Sequence, residues 1–310
     1  MYVRRVIGLS RTPTIVLNSH RITCASRRCF SVHPVTSTAE LFQLVHTYTH
    51  LPWWALIMVS TFSLRSIITL PLAIHQHKLI AKMELIQPTV AGYKEAVKHK
   101  VITQCRRANL PVEEANRRLK RETIKMVNKL YYYEGCHPAK MMLLPWVQIP
   151  IWVIISLSLR DISGIFPGCQ ALPVSSLATE GVLWFKDLSK PDSYGVLPVL
   201  LAGTNLVNIE FHALRRQSPS RLQRTLTNTF RVLSIVICVV AMKLPTAMTL
   251  YWATSSTFGL LQNIILRYPT VRRKVGIPLT PSESQHPFKD LASILNEKRK
   301  SLFRIKPKTQ

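Results

Sequence analysis

A guanidinium in the middle of an apolar run is the first group in this chain equipped for chemistry. Arg65 is the only formal charge in PWWALIMVSTFSLRSIITLPLAI, residues 52–74, and stands near its centre. At about 1.5 Å per helical residue, a run of that length crosses a bilayer core of roughly 30 Å. A cation at mid-depth costs at least about 2.5–3.5 kcal/mol on insertion scales, so it needs a polar or wet cavity between helices. Held there, Arg65 would act as a counter-charge for passing carboxylates. Snorkelling to an interface, or pairing with a helix neighbour to hold the fold together, is the plainer role, and snorkelling fits the depth poorly.

Other polar groups are weaker candidates. Gln148 sits between Pro145 and Pro150 in a second apolar run and is the one strong hydrogen-bonding side chain at that depth. Lining the cavity of Arg65 and bonding to a neighbouring helix account for it equally well. Glu210 lies near the end of a third run, where an interfacial ion pair suits it better than acid catalysis. His75 and His77 are two apart and would point away from each other on a helix, and Cys136-His137 is an isolated pair. The six cysteines form no C-x-x-C pair, so neither a zinc site nor a disulfide framework is readable, and no cofactor is expected. There is no nucleophile and base at a recognisable spacing, no P-loop and no dinucleotide fingerprint, which argues against an enzyme.

The elements that position these residues follow from hydropathy and charge. The chain has 310 residues, 47% of them hydrophobic, yet carries 41 Lys and Arg against 15 Asp and Glu, a net charge of +26. A soluble nucleic-acid binder would not need several separate apolar runs, and no DNA partner is expected. In a membrane protein the excess has an ordinary cause, because Lys and Arg gather in loops that are not translocated.

Residues 1–39 hold six arginines and no acid before Glu40, the composition of a mitochondrial presequence assigned to residues 1–30, with Ser31 as the new N-terminus. Residues 31–51 lead into the first span, 52–74, whose Trp53 and Trp54 are expected at headgroup level. Residues 75–137, with thirteen Lys and Arg against six Glu, read as an antiparallel helical hairpin. Pro88 opens one arm; Val112, Ala115, Leu119, Met126, Leu130 and Tyr133 mark one face of the other.

The second span is 139–159. The loop 160–193 is broken by Pro and Gly, lacks the basic excess and should be the translocated one. Spans three, four and five are placed at 195–211, 227–242 and 246–266, with the basic segment 212–226 between the third and fourth and a basic tail at 267–310. The expectation is therefore an all-α polytopic membrane protein of five transmembrane helices, its N-terminus on the translocated side, its hairpin and C-terminus on the basic side.

Taken together, Arg65 midway through the first span, the basic hairpin, LLPWVQIPIW, LWFKDLSKPDSYGVLPVL and LPTAMTLYWATSSTFGLLQN resemble the YidC/Oxa/Albino membrane-protein insertases, in that family's order over about residues 50–268. PWW before the first span, CHP after the hairpin and the short tail are most similar to the mitochondrial cytochrome c oxidase assembly branch. The resemblance implies a five-helix core with a hydrophilic groove, open to the matrix and to lipid and closed towards the intermembrane space. It places the groove arginine on Arg65, the polar residue between prolines on Gln148, and serine and threonine groove residues on Thr254, Ser255 and Ser256.

The function so implied is insertion of mitochondrially encoded nascent membrane proteins into the inner membrane, above all export of the C-terminal tail of cytochrome c oxidase subunit 2. The hairpin and tail would face the matrix. A general insertase receiving chains from the mitochondrial ribosome is the first rival, although a tail of residues 267–310 is short for ribosome docking. A small-anion transporter is the second, and the internal repeats common in transporters are not found.

Overall fold

The computed structural model describes residues 33–164, 175–214 and 221–283, together with positions 289, 293 and 296. The expected presequence and its cleavage site, and most of the tail beyond Glu283, lie outside the described residues. Helix α1 (His33–Thr49) precedes α2 (Trp53–Leu64), which passes through a π-type turn, Arg65–Thr69, into α3 (Leu70–Leu85). These last three form one continuous helix of 33 residues, Trp53–Leu85. It continues beyond Ile74 because neither Gly nor Pro occurs between Ile74 and Leu85 to stop it.

Helices α4 (Gln87–Arg107) and α5 (Val112–Tyr133) pack along each other, joined by a turn in which Asn109 takes a φ of 48°. A 3₁₀ turn, Pro138–Met142, leads into α6 (Leu143–Ile162), and then come α7 (Val196–Leu214), α8 (Arg221–Ala241), α9 (Thr246–Ile265) and the short α10 (Pro269–Lys274). Pro145 falls among the first four residues of α6, whose N–H groups have no helical acceptor in any case, so it opens the helix without cost.

Among the described residues four helices are long and apolar enough to cross a membrane: Trp53–Leu85, Pro138–Ile162, Val196–Ala213 and Arg221–Ala241. Helix α9 is not among them, since Thr246, Thr249, Thr254, Ser255, Ser256, Thr257, Gln262 and Asn263 dilute its hydropathy. Those same residues suit it to the centre of the bundle. It packs against α2, α6 and α7, and all of Thr246–Ser255 is buried. Apolar side chains on the surrounding helices point outward, among them Ile149, Val199, Val207, Val232, Ile235 and Val239. A surface of this kind is what lipid solvates.

One end of the bundle is closed by the segment after α6. Leu188 and Lys190 offer their carbonyls to Ala247 N and Thr246 N at 3.0 and 2.8 Å, fixing the start of α9. Asp192 accepts from Leu197 N at 2.8 Å and from Tyr194 N at 3.2 Å, capping α7. Gly181 is required here, because a Cβ would sit 1.9 Å from the carbonyl oxygen of Phe185.

Trp53 departs from its expected place at headgroup level. It is fully buried, stacks on His46 with ring centroids 4.6 Å apart, and donates from Nε1 to Ser176 Oγ at 2.8 Å. Its indole N–H finds a protein partner beneath the loop, which removes the reason for it to seek water.

Candidate functional site

Arg65 lies twelve residues along the helix from Trp53, which puts it about 18 Å from the closed end. It opens the π-type turn, and the N–H of Leu70, five residues on, donates to its carbonyl. Thr69 Oγ1 donates to the same oxygen at 2.9 Å. Pro71 explains the local widening: it lacks an N–H, and its ring would press on the carbonyl four residues back in a regular helix.

The guanidinium reaches across to α9, where Nε donates to Ser255 Oγ at 3.1 Å and a terminal amino nitrogen donates to the same oxygen. Gly259, one turn further along α9, leaves room beside it; a Cβ there would stand 3.6 Å from the other terminal nitrogen. Among the described residues no carboxylate lies within ion-pair distance of Arg65. This cation is thus held by a neutral hydroxyl, and no carboxylate of the described residues cancels its charge. An anionic group entering between the helices would meet a donor already aimed and only partly solvated.

The neighbouring residues of α9 turn the other way. Ser256 Oγ donates to Asn205 Oδ1 at 2.6 Å and accepts from Thr204 Oγ1 at 2.9 Å, both on α7. About two turns beyond, Asn263 Nδ2 donates to Asn208 Oδ1 at 2.8 Å. These bonds form a polar seam that locks α9 against α7, and they set the rotation at which Ser255 faces Arg65. Thr204, Asn205 and Asn208 are legible in the sequence as the polar residues of a span that belongs inside a bundle, whereas Gly259 and Pro71 were not singled out. The signal for Pro71 was its place six residues after a buried arginine.

Of the expected groove residues, the structure brings Arg65 and Ser255 together, buries Thr254 on the same helix and assigns Ser256 to the seam. Gln148 is half-buried on α6, and among the described residues no hydrogen bond ties it to Arg65. Glu210 accepts from Arg231 Nε of α8 at 2.6 Å, an ion pair of the kind its position suggested. Among the described residues no group of three or more His, Cys, Asp or Glu is placed to hold a metal ion.

An apolar cavity of about 340 Å³ opens beside the site, between α1, α2, α6 and α9. Leu41, Leu64, Ile68, Ile154 and Tyr251 line it. Polar and apolar surfaces therefore adjoin on the flank of one helix pair, which suits a segment that is itself partly polar and partly hydrophobic.

Residues 44–273 match the family model described as 60Kd inner membrane protein. The chain is 36% identical over 266 residues to the mitochondrial cytochrome c oxidase assembly protein COX18 of Homo sapiens, covering 86% of this chain and 80% of that one. It is 35% identical over 224 residues to the protein of the same description in Schizosaccharomyces pombe, with 72% of this chain and 96% of that one covered. To the mitochondrial inner membrane protein OXA1 of Arabidopsis thaliana it is 29% identical over 269 residues, 86% of this chain and 58% of the relative.

Proposed function

The chain belongs to the 60Kd inner membrane protein family, the YidC/Oxa/Albino group that its motifs resemble, and from that premise we propose that it is a mitochondrial inner-membrane insertase acting in cytochrome c oxidase assembly. The observation that carries the mechanism is the guanidinium of Arg65, held inside the helices by Ser255 and matched by no carboxylate among the described residues.

In this reading the bundle has five spans, with α9 the fifth and innermost. Helices α4 and α5 form a matrix-facing hairpin, and the end closed by residues 175–193 faces the intermembrane space. The basic excess of residues 75–137 and 267–310 supports that orientation. The client is the polar C-terminal tail of cytochrome c oxidase subunit 2, entering between α2 and α9.

A polar segment that meets hydrated or hydrogen-bonding groups part-way crosses a shorter stretch without partners, so its barrier falls without nucleotide hydrolysis. Arg65 offers transient pairing to acidic client residues, and Ser255 keeps the guanidinium aimed between passages. A matrix-negative potential adds about 2.3 kcal/mol per negative charge per 100 mV moved fully outward. The adjoining apolar cavity gives the hydrophobic part of a client a place beside the polar path.

The test is Arg65→Ala in mitochondria, read by protease accessibility of the subunit 2 tail from the outer side. The tail is expected to stay protected while the protein accumulates normally. Normal export in that variant would remove Arg65 from the mechanism.

A further inference from the structure

The face of α9 that meets Arg65 extends past it. Ser255, Gly259 and Gln262 recur at spacings of four and three, so Gln262 lies within about 20° of Ser255 around the helix axis. Ser255 holds the guanidinium and Gly259 leaves room beside it. Gln262 comes next on that face, about 10 Å beyond Ser255 and away from the closed end, where α9 begins at Thr246.

Two polar rows thus run side by side along α9. The row toward α7 is complete: Ser256 bonds to Asn205 and Thr204, and Asn263, seven residues on, bonds to Asn208. The row toward Arg65 is not. Ser255 has its partner, but Gln262, seven residues on, is 9% exposed, and its fully buried amide oxygen accepts no hydrogen bond from the described residues. Such a group weakens the fold, and an apolar side chain of similar size would remove the cost. A carboxamide kept there at the expense of stability is explained by a partner that comes and goes.

The spacing points to the chemistry of that partner. An extended chain rises about 3.3 Å per residue, so about three residues cover the distance between Ser255 and Gln262. A peptide whose carboxylate pairs with Arg65 therefore brings a backbone amide, about three residues away, to the level of Gln262. A carboxamide has both an acceptor oxygen and N–H donors, which match the N–H and C=O of a peptide group whatever its side chain. A small free anion would satisfy Arg65 and leave Gln262 as it is. A lipid acyl chain would satisfy neither.

We propose that Gln262 is a second client-binding group of the insertion path, on the open side of Arg65, its carboxamide bonding to the backbone of an extended segment whose acidic side chain is held by Arg65. Arg65 selects for charge, and Gln262 selects for a chain that is extended and free of proline at that point. The inference rests on the insertase reading and adds a register to it.

The experiment uses the full-length protein in mitochondria and a subunit 2 tail reduced to one acidic residue, with proline placed in turn at each position near that acid. Export is read by protease accessibility from the outer side, and thermal unfolding of each protein variant is followed in detergent. Proline about three residues from the acid, on one side of it, is expected to slow export by the wild-type protein about tenfold, and more than proline at the flanking positions. Gln262→Met should slow export of the proline-free tail by about the same factor, keep or raise the melting temperature, and abolish the proline effect at that position. A flat proline profile in the wild-type protein would overturn the proposal, and that measurement requires no variant to fold. Normal export by Gln262→Met while Arg65→Ala blocks it would overturn the proposal and leave the insertase reading standing, whereas normal export by both would remove Arg65 from the mechanism as well. A lowered melting temperature in Gln262→Met would overturn it too, by assigning the amide to the fold.

Discussion

Arg65 and Ser255 stand 190 residues apart in the chain and 3.1 Å apart in the fold, the arginine Nε donating to the serine oxygen. Nothing local brings them together. The pairing exists because the π-type turn at Arg65 and the seam between α7 and α9 fix two rotations independently.

Ser255→Ala separates holding the arginine from using it. The guanidinium would lose its hydroxyl partner, at a cost of about 1–3 kcal/mol. Thermal unfolding in detergent should show that loss, while export of the subunit 2 tail persists because the cation remains. Loss of export as complete as in Arg65→Ala would mean that Ser255, and not the charge, meets the client.

Gly259 sets the space beside the guanidinium. Gly259→Ala should be tolerated, because 3.6 Å to Arg65 is an ordinary contact. Gly259→Leu should displace the arginine and impair export at unchanged protein level. Protease protection of the client tail compares the two directly, and equal export in both would show that Arg65 does not need this clearance.

Arg65 and Gln148 share no hydrogen bond, so their effects on export should combine additively when expressed as free energies, within about 0.3–0.5 kcal/mol. A double-variant cycle of Arg65→Ala and Gln148→Ala on export rate measures this. A coupling above about 1 kcal/mol would place both in one cavity with the client between them.

Glu180 ties three elements at the closed end. One of its oxygens lies 2.7 Å from His46 Nε2 and accepts from Trp53 N at 3.1 Å. Glu180→Ala leaves that backbone donor without its acceptor, for a loss of about 1–3 kcal/mol. Tryptophan emission should shift to the red as Trp53 becomes wetter. An unchanged spectrum and melting temperature would show the loop is held by other bonds.

Acid should loosen the same loop only at low pH. Burial pushes the Asp187 carboxyl up, but hydrogen bonds from Ser189 and the Lys190 ammonium outweigh it and hold the group below the usual carboxylate range. A depressed folded value means the stabilisation is present above the unfolded pKa, about 3.9, and is lost as pH falls through the lower folded value. Limited proteolysis of residues 175–193 against pH should show this acid step, and Asp187→Asn should remove it.

The hydrophobic runs, the charge of each loop and the breakers between them were legible in sequence because they are local. Length and apolarity decide what a bilayer will accept, and a proline or a lysine acts where it stands. Arg65 was legible for the same reason: an isolated cation in an apolar run has no inexpensive place except between helices. Four of the expected spans carried their own signal, whereas α9 was diluted by the hydroxyl and amide groups that place it at the centre. Which partner each polar group would find depends on helix rotation, and rotation depends on contacts between segments far apart in the chain. Only the tertiary structure could give Ser255 to Arg65, give Ser256 to Asn205, leave Gln148 without a hydrogen bond to Arg65, and draw Trp53 beneath a loop.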